Sequence, residues 1–257
     1  MVCHMRSNHP NFFSPDWPCP PFVRSVVTYR FGGNSKKPYA SNNMASYVGD
    51  DIEIVQSNRE KLSQNLSLPS QPIWLNQVHG NKIINVTHDY SLSDGDGFYC
   101  KELDKPCGIL TADCLPILIC STKNKEIAAI HAGWRGLGSG IIKRALDMFE
   151  SSSEDVIAYL GPAISSEVFE VGYEVREYFC DHAENLVEKN RIKAAFAKRG
   201  EDKLLADLYE LARMDFELYG ISKIYGGNFC SYRNSELFYS YRRDGITGRN
   251  ASIIWLK

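Results

Sequence analysis

The spacing of apolar side chains along the chain predicts a sheet covered by helices. Residues 23–30 alternate and are rich in β-branched side chains, which is typical of a strand. Residues 50–66 begin with two aspartates and then place apolar side chains along one helical stripe, which predicts a helix. By the same criteria we predict further strands at 114–120, 156–160, 236–241 and 251–256, and further helices at 138–149, 173–198 with an interruption, and 204–219.

Three short apolar segments each end in a cluster of polar residues. The segments are residues 73–75, 108–110 and 127–130, and they lead into the sequences NQVHG, TADC and HAGWRG. We interpret them as buried strands whose C-terminal ends carry side chains capable of chemistry. Because strands and helices alternate irregularly, we predict an α/β (α+β) fold, a compact mixed β-sheet sandwich with flanking helices. We predict one catalytic domain over residues 1–257, with an irregular N-terminus at residues 1–15.

Composition narrows the classes of protein to which the chain can belong. Of its 257 residues, 44% are hydrophobic and 23% are charged, and a net charge of −2 gives no basic surface for nucleic acid. The sequence has no apolar run of the roughly 20 residues that cross a bilayer, and its first 21 residues lack the apolar core of a signal peptide. Eight cysteines are too dilute for a disulfide scaffold. We therefore expect a cytoplasmic protein that binds neither nucleic acid nor membrane.

His79, Cys114 and His131 follow the three apolar segments and together suit a metal site. Zinc accepts imidazole nitrogen and cysteine thiolate, and a catalytic zinc site uses three protein ligands beside an open position. The three residues are too far apart in the chain to share one helix face, but they suit delivery from the ends of separate strands in one sheet. We predict a catalytic zinc centre at these residues.

The same residues also fit a metal-free cysteine enzyme. Cys114 is then a nucleophile activated by His79 or His131, as in Cys–His hydrolases. Asp113 and Gln77 would orient the histidine or stabilise an oxyanion. Residue types and spacing fit a thiolate that binds metal and a thiolate that attacks substrate equally well, so both hypotheses stand.

Candidate anion ligands accompany the cluster. The segment after His131 is rich in glycine and leads into a predicted helix, so its backbone N–H groups and Arg135 suit an anion such as phosphate. It matches neither the phosphate-binding GxxxxGK[ST] motif nor GxGxxG. Arg30 and Arg59 are further candidates because a guanidinium group binds phosphate through two nitrogens.

Specific motifs give the chain a family resemblance. The segments VVTYRFGGNS, SNR, NQVHG, TADCLPI, HAGWRG, LGPAIS and FYSYRRDGITGR occur in this order and span nearly the whole chain. With them the chain resembles the YfiH family, long called laccase-domain or multicopper polyphenol oxidase proteins and now regarded as purine nucleoside phosphorylases. The resemblance implies a fold shared with certain Cys–His toxin deamidases.

The resemblance also implies an activity and a set of site residues. It implies phosphorolysis of adenosine and inosine to free base and ribose 1-phosphate, with accompanying adenosine deaminase and methylthioadenosine phosphorylase activities. The implied partners are purine nucleosides and phosphate, and the implied cofactor is zinc on His79, Cys114 and His131. Arg30, Arg59 and Gln77 match motif positions that would line the substrate pocket.

Three alternatives to this function remain. A copper-dependent polyphenol oxidase is disfavoured because six histidines are too few for a four-copper site. A Cys–His hydrolase or amidase that edits cell-wall precursors would use the same three residues without metal. A non-catalytic scaffold would not need polar clusters after three strands. The chain also departs from the family's pattern, since Tyr47 stands where a histidine is usual, and a pocket-facing Tyr47 would alter substrate preference.

Overall fold

The structure is a computed structural model that describes residues 11–87 and 93–257. The strands are β1 (Phe12–Phe13), β2 (Val23–Thr28), β3 (Ile83–Val86), β4 (Gly97–Cys100), β5 (Cys107–Thr111), β6 (Leu115–Ser121), β7 (Ile127–Ala132), β8 (Val156–Leu160), β9 (Glu170–Val171), β10 (Phe196–Arg199), β11 (Lys203–Ala206), β12 (Ile224–Gly226) and β13 (Asn250–Leu256). The α-helices are α1 (Ile52–Leu66), α2 (Trp134–Gly138), α3 (Ile141–Leu146), α4 (Tyr173–His182), α5 (Leu186–Ala194), α6 (Leu208–Leu218) and α7 (Tyr241–Asp244).

Two mixed sheets form the centre of the fold. The larger sheet has six strands in the order β12-β8-β6-β7-β4-β3, and the second has four in the order β1-β2-β13-β5. A small third sheet joins β10, β11 and β9. The β3–β4 and β8–β12 pairs are parallel, whereas β6 runs antiparallel to both of its neighbours. The predicted mixed α/β sandwich is therefore confirmed.

The apolar side chains divide into three layers of core. Along β6, Leu118 and Cys120 belong to the core between the two large sheets, whereas Ile117 and Ile119 belong to the core between the six-stranded sheet and helices α2 to α6. A third core lies under α1 on the outer face of the four-stranded sheet and includes Leu62. Because β6 is covered on both faces, its sequence is almost continuously apolar.

Most predicted strands are present, with two corrections. Residues 23–30, 108–110, 114–120, 127–130, 156–160 and 251–256 correspond to β2, β5, β6, β7, β8 and β13. Residues 73–75 form only an isolated bridge between Ile73 and Cys107. The strand predicted at 236–241 is wrong, because this segment is irregular and leads into α7, with Phe238 and Tyr239 buried as core side chains.

The predicted helices are shorter than expected for reasons that lie in particular residues. The helix predicted at 138–149 is present only as α3, because Gly140, with a φ of +78°, separates α3 from α2. The interrupted helix at 173–198 becomes α4 and α5, and its end forms β10. The helix at 204–219 begins only after β11, at the Asp207 side chain, which accepts a hydrogen bond from the Glu210 N–H.

The N-terminal prediction is tested only in part. Residues 1–10 lie outside the described residues, and so do His4 and His9. Within the predicted irregular segment, Phe12–Phe13 pairs with β2 as a short antiparallel strand. None of the described helices is both long enough and apolar enough to span a membrane.

Candidate metal centre

Cys114 lies in the tight turn where the chain passes from the four-stranded sheet to the six-stranded sheet, between β5 and β6. Asp113, the preceding residue, has a φ of +93° and fixes this turn. One of its carboxylate oxygens accepts a 2.7 Å hydrogen bond from the Ser231 hydroxyl, and the other accepts one of 2.7 Å from the Arg242 N–H. The sequence hypothesis gave Asp113 a role in orienting a histidine, whereas its observed contacts hold the Cys114 turn.

His131 comes from the interior of the six-stranded sheet. It is the fifth residue of β7 and only 3% exposed. Its ring atom Nδ1 lies 2.8 Å from Oδ1 of Asp96, and its N–H donates to the Asp96 carbonyl over 2.7 Å. Because Nδ1 is engaged by the carboxylate, Nε2 is the nitrogen left to meet a metal ion.

His79 comes from an exposed turn that the same carboxylate organises. Its φ is +59°, a left-handed conformation that non-glycine residues seldom adopt. The Asp96 carboxylate accepts hydrogen bonds from three successive N–H groups, those of Val78 (3.3 Å), His79 (2.9 Å) and Gly80 (2.6 Å). One fully buried carboxylate therefore fixes both histidines.

The three side chains converge, although they do not all lie at strand ends of one sheet. Their ligand atoms are all within 4.8 Å of one another, and no other such group of His, Cys, Asp and Glu occurs in the described part of the chain. The two imidazole rings are 4.8 Å apart and nearly perpendicular. Gly133 packs against all three, since a Cβ there would lie 3.3 Å from both Cys114 Sγ and His79 Cδ2.

The electrostatics of the cluster favour a thiolate. Burial by itself raises the pKa of Cys114, but the charge and hydrogen bond of His131 and a hydrogen bond from His79 lower that pKa to about 6. Burial lowers the pKa of His131, but Cys114 and Asp96 together raise it to about 9. Within the protein alone, the cluster therefore favours a thiolate beside an imidazolium group.

This donor set fits a catalytic zinc site. Two imidazoles and one thiolate are ligands that zinc prefers, and three protein ligands leave a position for water or substrate. Metal-binding histidines almost always donate their second ring N–H to a carboxylate or carbonyl, and Asp96 provides this partner for His131. A bound cation would take the place of the proton that the thiolate and imidazole otherwise share.

Comparison with known families agrees with these motifs. The sequence model of the family described as multi-copper polyphenol oxidoreductase laccase matches residues 24–257. The chain belongs to this family. Its curated relatives include proteins named purine nucleoside phosphorylase YfiH from Shigella flexneri and from Escherichia coli, each 43% identical over 94% of this chain and 97% of its own length. A Haemophilus influenzae relative named purine nucleoside phosphorylase is 39% identical over 95% of this chain and 98% of its own length.

Solved structures confirm the fold. A Neisseria meningitidis protein of the DUF152 family superposes with a TM-score of 0.89 at 40% identity, covering 96% of this chain and 99% of its own. The Bacillus licheniformis hypothetical protein YfiH gives a TM-score of 0.90 at 28% identity, covering 98% of this chain and 99% of its own. The mixed α/β fold of this chain is thus shared with these two proteins.

Two of the other predicted site residues are engaged by the scaffold. Gln77 Nε2 donates to the Leu110 carbonyl over 2.8 Å, and Gln77 Oε1 accepts from the Leu110 N–H over 2.9 Å, so this side chain ties the His79 segment to β5. Arg30 donates to the Ser235 carbonyl over 2.9 Å and stacks 4.9 Å from the Tyr239 ring. Both contacts position neighbouring segments, and a role in substrate binding stays a prediction for each.

Arg59 binds the segment that leads to Tyr47. Its Nε and Nη2 donate to the Met44 carbonyl over 2.9 and 2.6 Å, and its guanidinium group stacks 4.6 Å from the Trp74 ring. Tyr47 is 57% exposed, yet burial around its hydroxyl raises its pKa, and that hydroxyl interacts electrostatically with Arg249, Arg59 and Cys114. A substrate-facing role for Tyr47 stays a prediction.

The glycine-rich segment after His131 has a packing role. Helix α2 is only five residues long, and a Cβ at Gly136 would lie 2.4 Å from the Gly80 carbonyl oxygen, so this glycine lets α2 approach the His79 turn. Arg135 is exposed and stacks 4.0 Å from the Trp134 ring. Anion binding here stays a prediction.

Sequence reasoning missed two residues of the site, Asp96 and Gly133. The sequence DGDG at 94–97 resembles an ordinary polar turn, and its only signal is the apolar strand β4 that follows. Gly133 stands in the HAGWRG motif, but its closeness to three separate segments depends on the tertiary fold.

Proposed function

We propose that this chain is a purine nucleoside phosphorylase that converts adenosine or inosine and phosphate to free base and ribose 1-phosphate. The observation that carries the proposal is the convergence of His79, Cys114 and His131 within 4.8 Å. Support comes from full-length relatives at 39–43% identity that bear this name. The same site is proposed to support adenosine deamination and methylthioadenosine phosphorolysis.

Zinc is the proposed cofactor, held by His79, Cys114 and His131. When bound, zinc supplies a Lewis acid and lowers the pKa of a coordinated water molecule to about 7. Before a metal ion binds, His131 keeps Cys114 as a thiolate, and the Asp96 carboxylate holds the His131 ring in place. Phosphorolysis also requires an anionic nucleophile held near the anomeric carbon, which is a task for cationic side chains.

Arg59 is the first candidate for contact with phosphate or nucleoside. Its electrostatic interaction with Tyr47, which in turn interacts with Cys114, connects it to the cluster. Arg135, which is exposed and belongs to the same HAGWRG motif as His131, is the second candidate. Arg30 and Gln77 are proposed to act through the segments that they bind. We also propose a cytoplasmic location without nucleic-acid or membrane partners, supported by the net charge of −2 and by the free cysteines of the described residues.

Turnover of inosine with and without phosphate tests the activity. Phosphorolysis predicts that hypoxanthine and ribose 1-phosphate appear in equal amounts, and only when phosphate is present. Base release that is independent of phosphate, with free ribose as the product, would instead show a nucleosidase. Metal analysis of the same preparation tests the cofactor, because one zinc per chain supports the proposed site and stoichiometric copper contradicts it.

A cysteine hydrolase or amidase is the second candidate. The observation in its favour is the continuous contact from Asp96 to His131 to Cys114, which lowers the thiol pKa to about 6. Amides of cell-wall precursors are the proposed substrate class. Covalent trapping of Cys114 by an electrophilic amide analogue in metal-free protein that still turns over amides would support this candidate. If removing the metal abolished all turnover, this candidate would be excluded.

A further inference from the structure

A cavity of about 340 Å³ lies among helices α4, α5 and α6, elements that carry none of the proposed site residues. Its volume falls within the range of small-molecule sites. Most lining side chains are apolar, among them Phe179, Ile192, Leu211 and Met214. A second cavity of about 280 Å³ adjoins it and shares Asp215 among its lining residues, so the two form one groove between the helices.

The groove contains an excess of negative charge. Asp215 and Glu188 line both cavities, and Glu184 lines the second. Arg191 also lines the first cavity, but its guanidinium group is engaged by the Glu217 carboxylate over 2.6 Å. The second cavity is also lined by three other charged or titratable side chains, those of Lys143, His182 and Tyr219.

Asp215 is the carboxylate of this groove for which the described residues supply no partner. No hydrogen bond or ion pair from the described residues reaches its carboxylate, whereas Glu188 already accepts a 2.8 Å hydrogen bond from the Glu184 N–H. Burial raises the pKa of Asp215 to about 7, and the nearby Glu188 carboxylate adds to the rise. A partly buried carboxylate without a partner is costly when ionised, so a cation in the cavity would stabilise it.

We propose that this cavity binds an organic ammonium ion, with its apolar body against the helix side chains and its charged nitrogen at Asp215. The apolar lining favours an amine with an aryl or short alkyl body over a hydrated inorganic cation. No third His, Cys, Asp or Glu ligand atom joins Asp215 and Glu188 in the described structure, so the cavity lacks the donor set of a metal site.

Titration with phenethylammonium chloride and with the neutral 2-phenylethanol tests the proposal. At about pH 8 Asp215 is ionised and the amine is protonated. We expect the amine to bind saturably and about tenfold more tightly than the alcohol, because a charge-assisted hydrogen bond contributes that much. Calorimetry gives both affinities on the wild-type protein, so this comparison does not depend on any variant.

The variant D215N identifies the contact. It should weaken amine binding about tenfold and leave alcohol binding unchanged. E210Q is the matched control, since Glu210 is an exposed acid on the same helix outside the cavity lining, and it should leave both affinities unchanged. Equal affinity for amine and alcohol, or amine binding that survives D215N, overturns the proposal. Self-association that the amine does not disrupt, but that D215N abolishes, also overturns it, because a side chain of a second copy would then be the occupant.

Discussion

Two carboxylates largely withdrawn from solvent, Asp96 in the candidate metal centre and Asp215 in the helical cavity, behave in opposite ways. Asp96 accepts hydrogen bonds from three N–H groups and lies against His131. Burial acts to raise its pKa, but these contacts outweigh burial and lower it. Asp215 is without such contacts among the described residues, and burial raises its pKa to about 7.

The difference shows that partners, and not burial alone, decide the charge of a carboxylate inside this fold. Around Asp96 the chain supplies the partners from the His79 turn and from β7, so the candidate metal centre is organised before any ligand binds. Around Asp215 the helices supply apolar walls and a second acid. The surroundings of Asp96 thus stabilise a carboxylate charge with groups of the protein itself. The surroundings of Asp215 do not, and are suited to a positive charge supplied by a ligand.

The largest expected effect comes from removing a ligand of the metal centre. C114A should lose stoichiometric metal and lower nucleoside turnover more than about a hundredfold, since a site with two ligands no longer holds zinc. C19A is the control, because Cys19 is a half-buried thiol outside the cluster. Metal content measured with inosine turnover checks the prediction, and full metal retention in C114A would contradict it.

D96N should have the next largest effect. An amide in place of the Asp96 carboxylate directs an NH₂ group at backbone N–H donors or at His131, so some of these contacts are lost. We expect a loss of about 3 kcal/mol in the free energy of unfolding and a loss of up to about a hundredfold in metal affinity. Urea unfolding and competition with a zinc chelator measure the two effects.

D94N is the matched control for D96N, because Asp94 belongs to the same turn but is exposed and bonds only the Asn76 side chain among the described contacts. It should change neither quantity appreciably. If D96N were as mild as D94N, the hydrogen-bond partners of Asp96 would not stabilise the fold or the metal site, and the contrast with Asp215 would be wrong.

The sequence indicated the three converging side chains but not what holds them in place. Residue type alone nominates His79, Cys114 and His131, because few side chains bind zinc. Asp96 could not be identified in the same way, since its partners are 16 to 18 residues away in the His79 turn and 35 residues away on β7. Hydrogen bonds of that range follow from the pairing of β4 with β7, which a local pattern does not specify.

The elements of the fold also differ in whether a local sequence pattern was enough to predict them. Strongly apolar strands such as β6 and β7 were predicted because burial on both faces leaves a continuous apolar run. The segment 236–241 misled the prediction for the same reason, since Phe238 and Tyr239 are buried without any strand pairing. Helix ends depended on single residues, such as Gly140 with its positive φ, whose effect periodicity does not show.

G133A should lower metal affinity by a smaller amount, and it tests how closely Gly133 packs against the cluster. The added Cβ would lie 3.3 Å from Cys114 Sγ and from His79 Cδ2, so both ligands must shift by a few tenths of an ångström. We expect metal affinity to fall about tenfold, the cost of modest overpacking. G80A is the control, because a Cβ at Gly80 meets its nearest atom, Asp96 Oδ2, at an ordinary 3.5 Å. Unchanged affinity in G133A would show that the cluster adapts freely.

D215N should give the smallest effect, and its sign is opposite to that of D96N. The folded-state pKa of Asp215 is about 7, above the usual unfolded value of about 3.9. Between these values the folded protein binds the extra proton, so Asp215 lowers the free energy of unfolding as pH rises through that window. An asparagine cannot ionise and removes this loss.

We therefore expect D215N to match the wild type near pH 4 and to exceed its stability by about 1 kcal/mol near pH 8, less than the full pKa shift implies because the side chain is partly exposed. Urea unfolding at both pH values measures the difference, and E210Q should show no such pH dependence. A destabilised D215N near pH 8 would mean that the Asp215 carboxylate already has a favourable partner. The two carboxylates would then obey the same rule, and the cavity would need no ammonium ion.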